Sequence, residues 1–318
     1  MSMIRMRRLG MPVLIAIAAA LLPHFASAAP AAGQAEQASA GRQTLVHDGI
    51  ERHYLLRVPA DLRPDKGRVP LVLVLHGGGG NADNAETMTG FTAKASKEGF
   101  IVAYPEGSGR LKGRLLTWNA VHCCGYAMEK QVDDVGFINA LIDKLTQSYP
   151  IDTGRIYATG MSNGGMMTHR LGIALSGRLA AIVPVVATVF GDEPQPAGPL
   201  SALMINGALD QNVPNAGGAP GGRGASAWDG MPARPMLDQA RFWAAADACA
   251  SPPQQIDQAT TTQWRYTCPG GKAVELYLVK DNGHAWPGGQ PGSRRGDTPS
   301  QSLNATDLIW AFFQAHPK

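Results

Sequence analysis

Ser162, Asp210 and His284 are the residues of this chain whose types and order suit joint chemistry. Ser162 stands in Gly160-Met161-Ser162-Asn163-Gly164. With 38 glycines and 14 serines in 318 residues, about 0.2 Gly-x-Ser-x-Gly matches arise by chance, so the bare pattern reads as a glycine-rich turn. Its surroundings say more. Arg155 to Thr159 has the composition of a strand, and the residues after Gly165 run helically to about Leu175. A strand, a sharp turn and a helix are what lift a serine hydroxyl out of a sheet as a nucleophile.

A serine nucleophile needs a base within reach, and on such a turn the chain order runs serine, acid, histidine. Only His169, His284 and His316 follow Ser162. His169 falls on the helix leaving the turn and reads as a packing or surface residue; His316 is at the chain end. His284 lies in Asp281-Asn282-Gly283-His284-Ala285-Trp286-Pro287-Gly288-Gly289, after the strand Val274 to Val279, an irregular loop of the kind that presents a base. Asp210 follows the apolar run Leu203 to Asn206, where a loop after a buried strand can hold the carboxylate that fixes the imidazole tautomer. Asp192, Asp229, Asp238 and Asp247 lie in loops without such a strand or on a helix.

Acyl chemistry also needs donors for a developing oxyanion. His76-Gly77-Gly78-Gly79-Gly80-Asn81 follows the most apolar run of the chain, Leu71 to Leu75. The backbone N–H groups of Gly78 and Asn163 are the expected pair. A phosphate loop is the rival reading, but no Gly-Lys-Ser/Thr follows. Asp133 and Asp134 invite a glycosidase reading; being adjacent, they cannot face each other across a sugar, and they read as a helix start.

The elements around these residues alternate apolar runs with helical periods, the pattern of an α/β domain with a mainly parallel sheet covered by helices on both faces. Strands are expected over 52–58, 71–75, 100–104, 155–159, 181–186, 203–206, 262–267 and 273–279. Helices are expected over 84–98, 135–149, 163–175, 236–249 and 305–315, the last capped by Asn304. Residues 211–235, dense in Gly and Pro, read as a long loop. At 44% hydrophobic and 17% charged, the chain can bury one large core, expected over residues 45–318.

The chain opens with Arg5, Arg7 and Arg8, an apolar stretch from Leu9 to Leu22 and Ala26-Ser27-Ala28. That is an export signal ending at residue 28, too short for a spanning helix. Residues 29–44 read as a tether. Removing the signal takes the formal charge from +3 to zero, which leaves no case for nucleic acid or an anionic membrane as partner. Four cysteines in an exported chain favour disulfides over metal binding. Of three possible pairings, Cys249 with Cys268 and Cys123 with Cys124 is preferred, since the first closes a short loop between a helix and a strand.

Together, Trp118-Asn119, Cys123-Cys124-Gly125, Val132-Asp133-Asp134-Val135-Gly136-Phe137-Ile138, Gly160 to Met167 and Gly283 to Gly289 resemble the secreted esterases grouped with poly(3-hydroxybutyrate) depolymerases and feruloyl or acetyl xylan esterases. The resemblance runs from about residue 50 to the end. It implies a single-domain α/β-hydrolase fold and hydrolysis of carboxylic esters without a metal or organic cofactor. Ser162, Asp210 and His284 would be catalytic, and Trp118 and Trp286 would line the substrate pocket. The expected partner is an ester substrate: a hydroxyalkanoate polyester or oligomer first, a feruloyl or acetyl polysaccharide ester as the alternative. The intact set argues against a non-catalytic binding module on the same scaffold. Two departures, Asn206-Gly207 where relatives often carry His-Gly and the glycine-rich stretch Gly217 to Pro235, bear on substrate choice.

Overall fold

A computed structural model describes residues 41–62 and 67–318. The expected signal at residues 1–28 lies outside the described residues. The expected tether is corrected at its end: residues 41–44 open strand β1 (Gly41–His47), whose burial alternates along its length. β2 (Ile50–Arg57) pairs with it antiparallel.

Eight further strands complete one ten-stranded sheet: β3 (Val69–Leu75), β4 (Ile101–Pro105), β5 (Ile151–Met161), β6 (Ala181–Val185), β7 (Ser201–Gly207), β8 (Ala250–Asp257), β9 (Thr261–Thr267) and β10 (Ala273–Val279). The order is β1-β2-β4-β3-β5-β6-β7-β10-β9-β8. The six strands from β4 to β10 are mutually parallel, and antiparallel pairs flank them on both edges. β3 shows why so apolar a run sits in the middle: Leu71, Leu73 and Leu75 enter the core on one face, Val72 and Val74 the core on the other. A strand covered on both sides has no polar face to show.

Each face has its own helices. α4 (Asp134–Ser148), α5 (Asn163–Ala174) and α6 (Met236–Ala246) bury Phe137, Leu141, Leu171 and Trp243 against one. α1 (Ala82–Thr89), α2 (Phe91–Glu98) and α7 (Ala305–Ala315) bury Met88, Phe91, Ile309 and Phe313 against the other. Where one helix was expected over 84–98 there are two, parted at Gly90, which adopts φ 68°; glycine takes that left-handed turn at little cost. A short helix, α3 (Gly125–Glu129), follows the cysteine pair. The loop of residues 211–235 holds a six-residue 3-10 helix, Gly222–Ala227. Among the described residues no helix is long and apolar enough to cross a membrane.

Candidate active site

In a sheet of this kind the carboxyl ends of neighbouring parallel strands converge on one edge, where ligands bind. β3 ends at Leu75 and runs into the glycine loop; β5 ends one residue before Ser162. β7 ends three residues before Asp210, and β10 five before His284. Four strands thus deliver the four candidate segments to one edge.

The turn at Ser162 is tight. Its φ of 56° and ψ of −122° lie in a region that few side chains adopt. The glycines either side are a packing requirement. A methyl on Gly160 would stand 2.6 Å from the Gly164 carbonyl oxygen and 2.9 Å from Cβ of Leu75. One on Gly164 would stand 2.7 Å from the Leu75 carbonyl oxygen and closer still to that of His76. The Gly-x-Ser-x-Gly pattern is what lets β5 and α5 fold back on each other against the end of β3.

Ser162 Oγ lies 2.8 Å from His284 Nε2, and His284 Nδ1 lies 2.7 Å from Asp210 Oδ2. The Asp210 side chain is fully buried, and its other oxygen accepts hydrogen bonds from the backbone N–H groups of Asn212 at 2.8 Å and Val213 at 2.9 Å. Those two donors fix the carboxylate with its remaining oxygen facing the imidazole. Gly207 lets the two loops touch: a methyl there would stand 2.9 Å from the Asn282 carbonyl carbon and overlap the carbonyl oxygens of Asn282 and Gly283.

The glycine loop passes directly over the turn. A methyl on Gly77 would lie 3.7 Å from Cβ of Ser162, and one on Gly78 3.6 Å from Cβ of Asn163. His76 is fully buried, and burial lowers its pKa to about 4, so it is neutral. The Asn163 side chain grips Trp118 at both ends of its backbone, accepting from the Trp118 N–H at 2.7 Å and donating to its carbonyl at 3.0 Å.

Two expectations about side chains are corrected. Trp118 and Trp286 do not line a pocket; both are buried. Trp118 donates from Nε1 to the His76 carbonyl at 3.0 Å, and Trp286 donates to Thr306 Oγ1 at 3.0 Å with its ring edge-on to Phe91. Each meets its need for an acceptor inside the wall and braces the loop above it. Of the two roles expected for His169, packing and surface, it has the first, buried between Gln239 at 2.8 Å and Trp243 at 3.0 Å. Asp133 caps α4 through Gly136, as expected. Asp134 opens the helix, also as expected, and its side chain turns inward, fully buried 2.6 Å from Arg52, and accepts from the Asn119 N–H at 2.8 Å. Both expected disulfides are present, Cys249–Cys268 and Cys123–Cys124.

Three groups near the site were not singled out by the sequence. Asn282, fully buried, donates to the carbonyls of Gly283 and Ala285 and shapes the histidine loop. Asp297 accepts from the His284 N–H at 2.6 Å. His122 bridges Asp229 and Asp192, 2.8 Å from each, lacing the loop of residues 211–235 to the segments before Cys123 and after β6. Burial alone would lower the His122 pKa; the Asp229 and Asp192 carboxylates outweigh it and hold it above its ordinary value. Each carboxylate is far from its partner histidine in sequence, so no local motif marks these pairs. Among the described residues no cluster of three or more His, Cys, Asp or Glu could hold a metal.

The sheet order, the strained serine turn and the placement of Asp210 and His284 are those of an α/β-hydrolase. Among solved structures, an acetyl xylan esterase from Aspergillus awamori superposes with a TM-score of 0.59 over 87% of this chain and all of that one, at 14% identity. The chain belongs to the family described as Esterase PHB depolymerase, whose model matches residues 53–249. It is 29% identical over 248 residues to feruloyl esterase B of Piromyces equi, covering 76% of this chain and 44% of that protein. It is 30% identical over 170 residues to the poly(3-hydroxybutyrate) depolymerase of Ralstonia pickettii, covering 50% and 33%. The chain therefore spans less than half the length of either relative.

Proposed function

We propose that this protein is an exported serine esterase that cleaves aliphatic hydroxyalkanoate esters through Ser162, His284 and Asp210. The observation that carries the reading is the unbroken relay from Ser162 Oγ to His284 to the buried Asp210, at 2.8 and 2.7 Å. His284 Nε2 takes the hydroxyl proton as Oγ bonds to the ester carbonyl carbon, and the carbonyl oxygen becomes an oxyanion between the N–H groups of Gly78 and Asn163. As the tetrahedral intermediate collapses, the alcohol leaves with the proton from His284. Water then repeats the sequence on the acyl-enzyme and releases the acid, with Asp210 stabilising the imidazolium each time.

The surroundings favour an aliphatic substrate over a sugar ester. Leu115 is 66% exposed beside Gly79, Leu209 61% exposed beside Asp210, and Val121 52% exposed two residues before Cys123. Exposed aliphatic side chains around a polar site suit a polyester chain. Trp118 and Trp286, the two rings expected at the pocket, are both buried, so neither offers a sugar ring an exposed platform. The Arg-rich start and small-residue end of the first 28 residues support export.

The test is hydrolysis of p-nitrophenyl butyrate, a 3-hydroxybutyrate oligomer and methyl ferulate by the wild type and by Ser162→Ala. The reading expects turnover of the first two and a silent variant. Turnover of methyl ferulate alone would move the substrate to plant polysaccharide esters, and equal residual turnover by both proteins would remove Ser162 from the chemistry.

A further inference from the structure

A catalytic histidine on a loop must be held to a few tenths of an ångström to face a serine and an acid at once. The loop carrying His284 leaves β10 at Val279 and returns at α7, and it is pinned from two sides. From inside, Asn282 ties it to itself and accepts from the Ser300 N–H at 3.0 Å, while Asp281 accepts from the hydroxyls of Ser300 at 2.7 Å and Ser302 at 2.8 Å. From outside, the Asp297 carboxylate accepts from the His284 N–H at 2.6 Å. A hydrogen bond to an ionised acceptor is shorter and stronger than a neutral one.

Gly283 fits the same arrangement. A side chain there would collide with the Asp297 carboxylate, its Cβ standing 2.9 Å from Cγ and closer to Oδ2. Glycine at 283 and aspartate at 297 are thus complementary across 14 residues of chain: the first leaves the space that the second fills. Asp297 also brings a second negative charge to the histidine, on the main-chain side, while Asp210 serves the ring. Among the described residues these two are the carboxylates hydrogen-bonded to His284.

We infer that Asp297 is a positioning residue for His284, acting through the main chain to hold the imidazole in register with Ser162 and Asp210. The inference rests on the serine-esterase reading above. A carboxylate that only tied down an exposed loop would contribute to stability and leave the chemical step alone. One that sets the register of the base acts on kcat, because misplacement of the imidazole is felt most in the transition state.

The experiment measures kcat and KM on p-nitrophenyl butyrate for the wild type, Asp297→Ala, Asp297→Asn and Ser162→Ala, with thermal melting of each. Asp297→Ala is expected to lose about tenfold in kcat with KM changed less than about twofold. Asp297→Asn, which keeps an acceptor, is expected to recover to within about twofold of the wild type. The inference is overturned if Asp297→Ala matches the wild type, if its loss lies wholly in KM, or if Ala and Asn are impaired equally. If the wild type itself is no more active than Ser162→Ala, the esterase reading fails and not this one alone.

Discussion

His76 holds the carbonyl of Gly77 from behind: its Nδ1 lies 2.8 Å from that oxygen, while its Nε2 accepts a hydrogen bond from the Gly107 N–H at 3.0 Å. An imidazole nitrogen that accepts carries no proton, so the proton of this neutral ring is on Nδ1 and is donated to Gly77. A second donor, the Gly80 N–H, reaches the same oxygen at 3.0 Å. In a trans peptide the C=O of one residue and the N–H of the next point in opposite directions. Fixing the Gly77 carbonyl toward His76 therefore turns the Gly78 N–H the other way.

If that orientation serves the oxyanion, His76→Ala lowers kcat by about ten- to a hundredfold with little change in KM, as loss of a preorganised donor does. Steady-state kinetics on a p-nitrophenyl ester separates the two. A rise in KM at unchanged kcat would place the effect on substrate binding instead.

Gly164→Ala tests the serine turn by sterics alone. The added methyl meets backbone oxygens of Leu75 and His76, which cannot swing aside as a flexible side chain would. The variant is expected to lose about 1–3 kcal/mol of stability or more, and its activity with it. Chemical denaturation gives the first quantity; a variant as stable and active as the wild type would mean that the turn relaxes.

Asp247 is 3% exposed, and burial raises its pKa to about 6 from 3.8, although it accepts from the Leu200 N–H at 2.9 Å. Its folded state binds the proton more tightly than its unfolded state, so stability falls as pH rises from 3.8 to about 6. Asp247→Asn keeps an acceptor for Leu200 and removes the titration. Its melting temperature is expected to exceed the wild type's above pH 6 and the difference to close near pH 4. Parallel curves across that range would contradict this.

His122 titrates in a different window. Its folded pKa is raised above 6.5, so the stabilisation from its two carboxylates is fully present below pH 6.5 and is lost as pH rises through the raised value. A neutral imidazole has one N–H and can satisfy only one of Asp192 and Asp229. His122→Gln is expected to flatten the fall in melting temperature above pH 6.5 while leaving the Asp247 window untouched. An unchanged slope would show that the bridge contributes nothing to stability.

The parts of this architecture that could be read from the chain are those that physics writes locally. β3 is covered on both faces, so its residues are apolar without interruption, and the glycines around Ser162 are forced by contacts within a few residues or with the adjoining strand. β8 carried no such mark. Its residues Ala250 to Asp257 are mostly exposed and include Pro252 and Pro253, which only an edge strand tolerates. The first four residues of β1 read as tether because the alternation is short and follows a stretch rich in Ala and Gln. The tryptophans were misplaced because a large amphipathic ring suits a pocket and a wall equally until its N–H partner is known, and those partners, His76 and Thr306, lie 42 and 20 residues away. Asp297 and His122 were silent for the same reason: their meaning lies in pairs that only folding brings together.

Asp210 has two jobs, one oxygen for His284 and the other for the N–H groups of Asn212 and Val213. The first turn of the long loop is thereby registered to the acid, and everything past Val213 hangs downstream of that anchor. Gly221 folds back on that anchor and donates to the Asn212 carbonyl at 3.0 Å, so a change of loop length there reaches the acid, while Trp228 and Asp229 fasten the far end to Cys123 and His122.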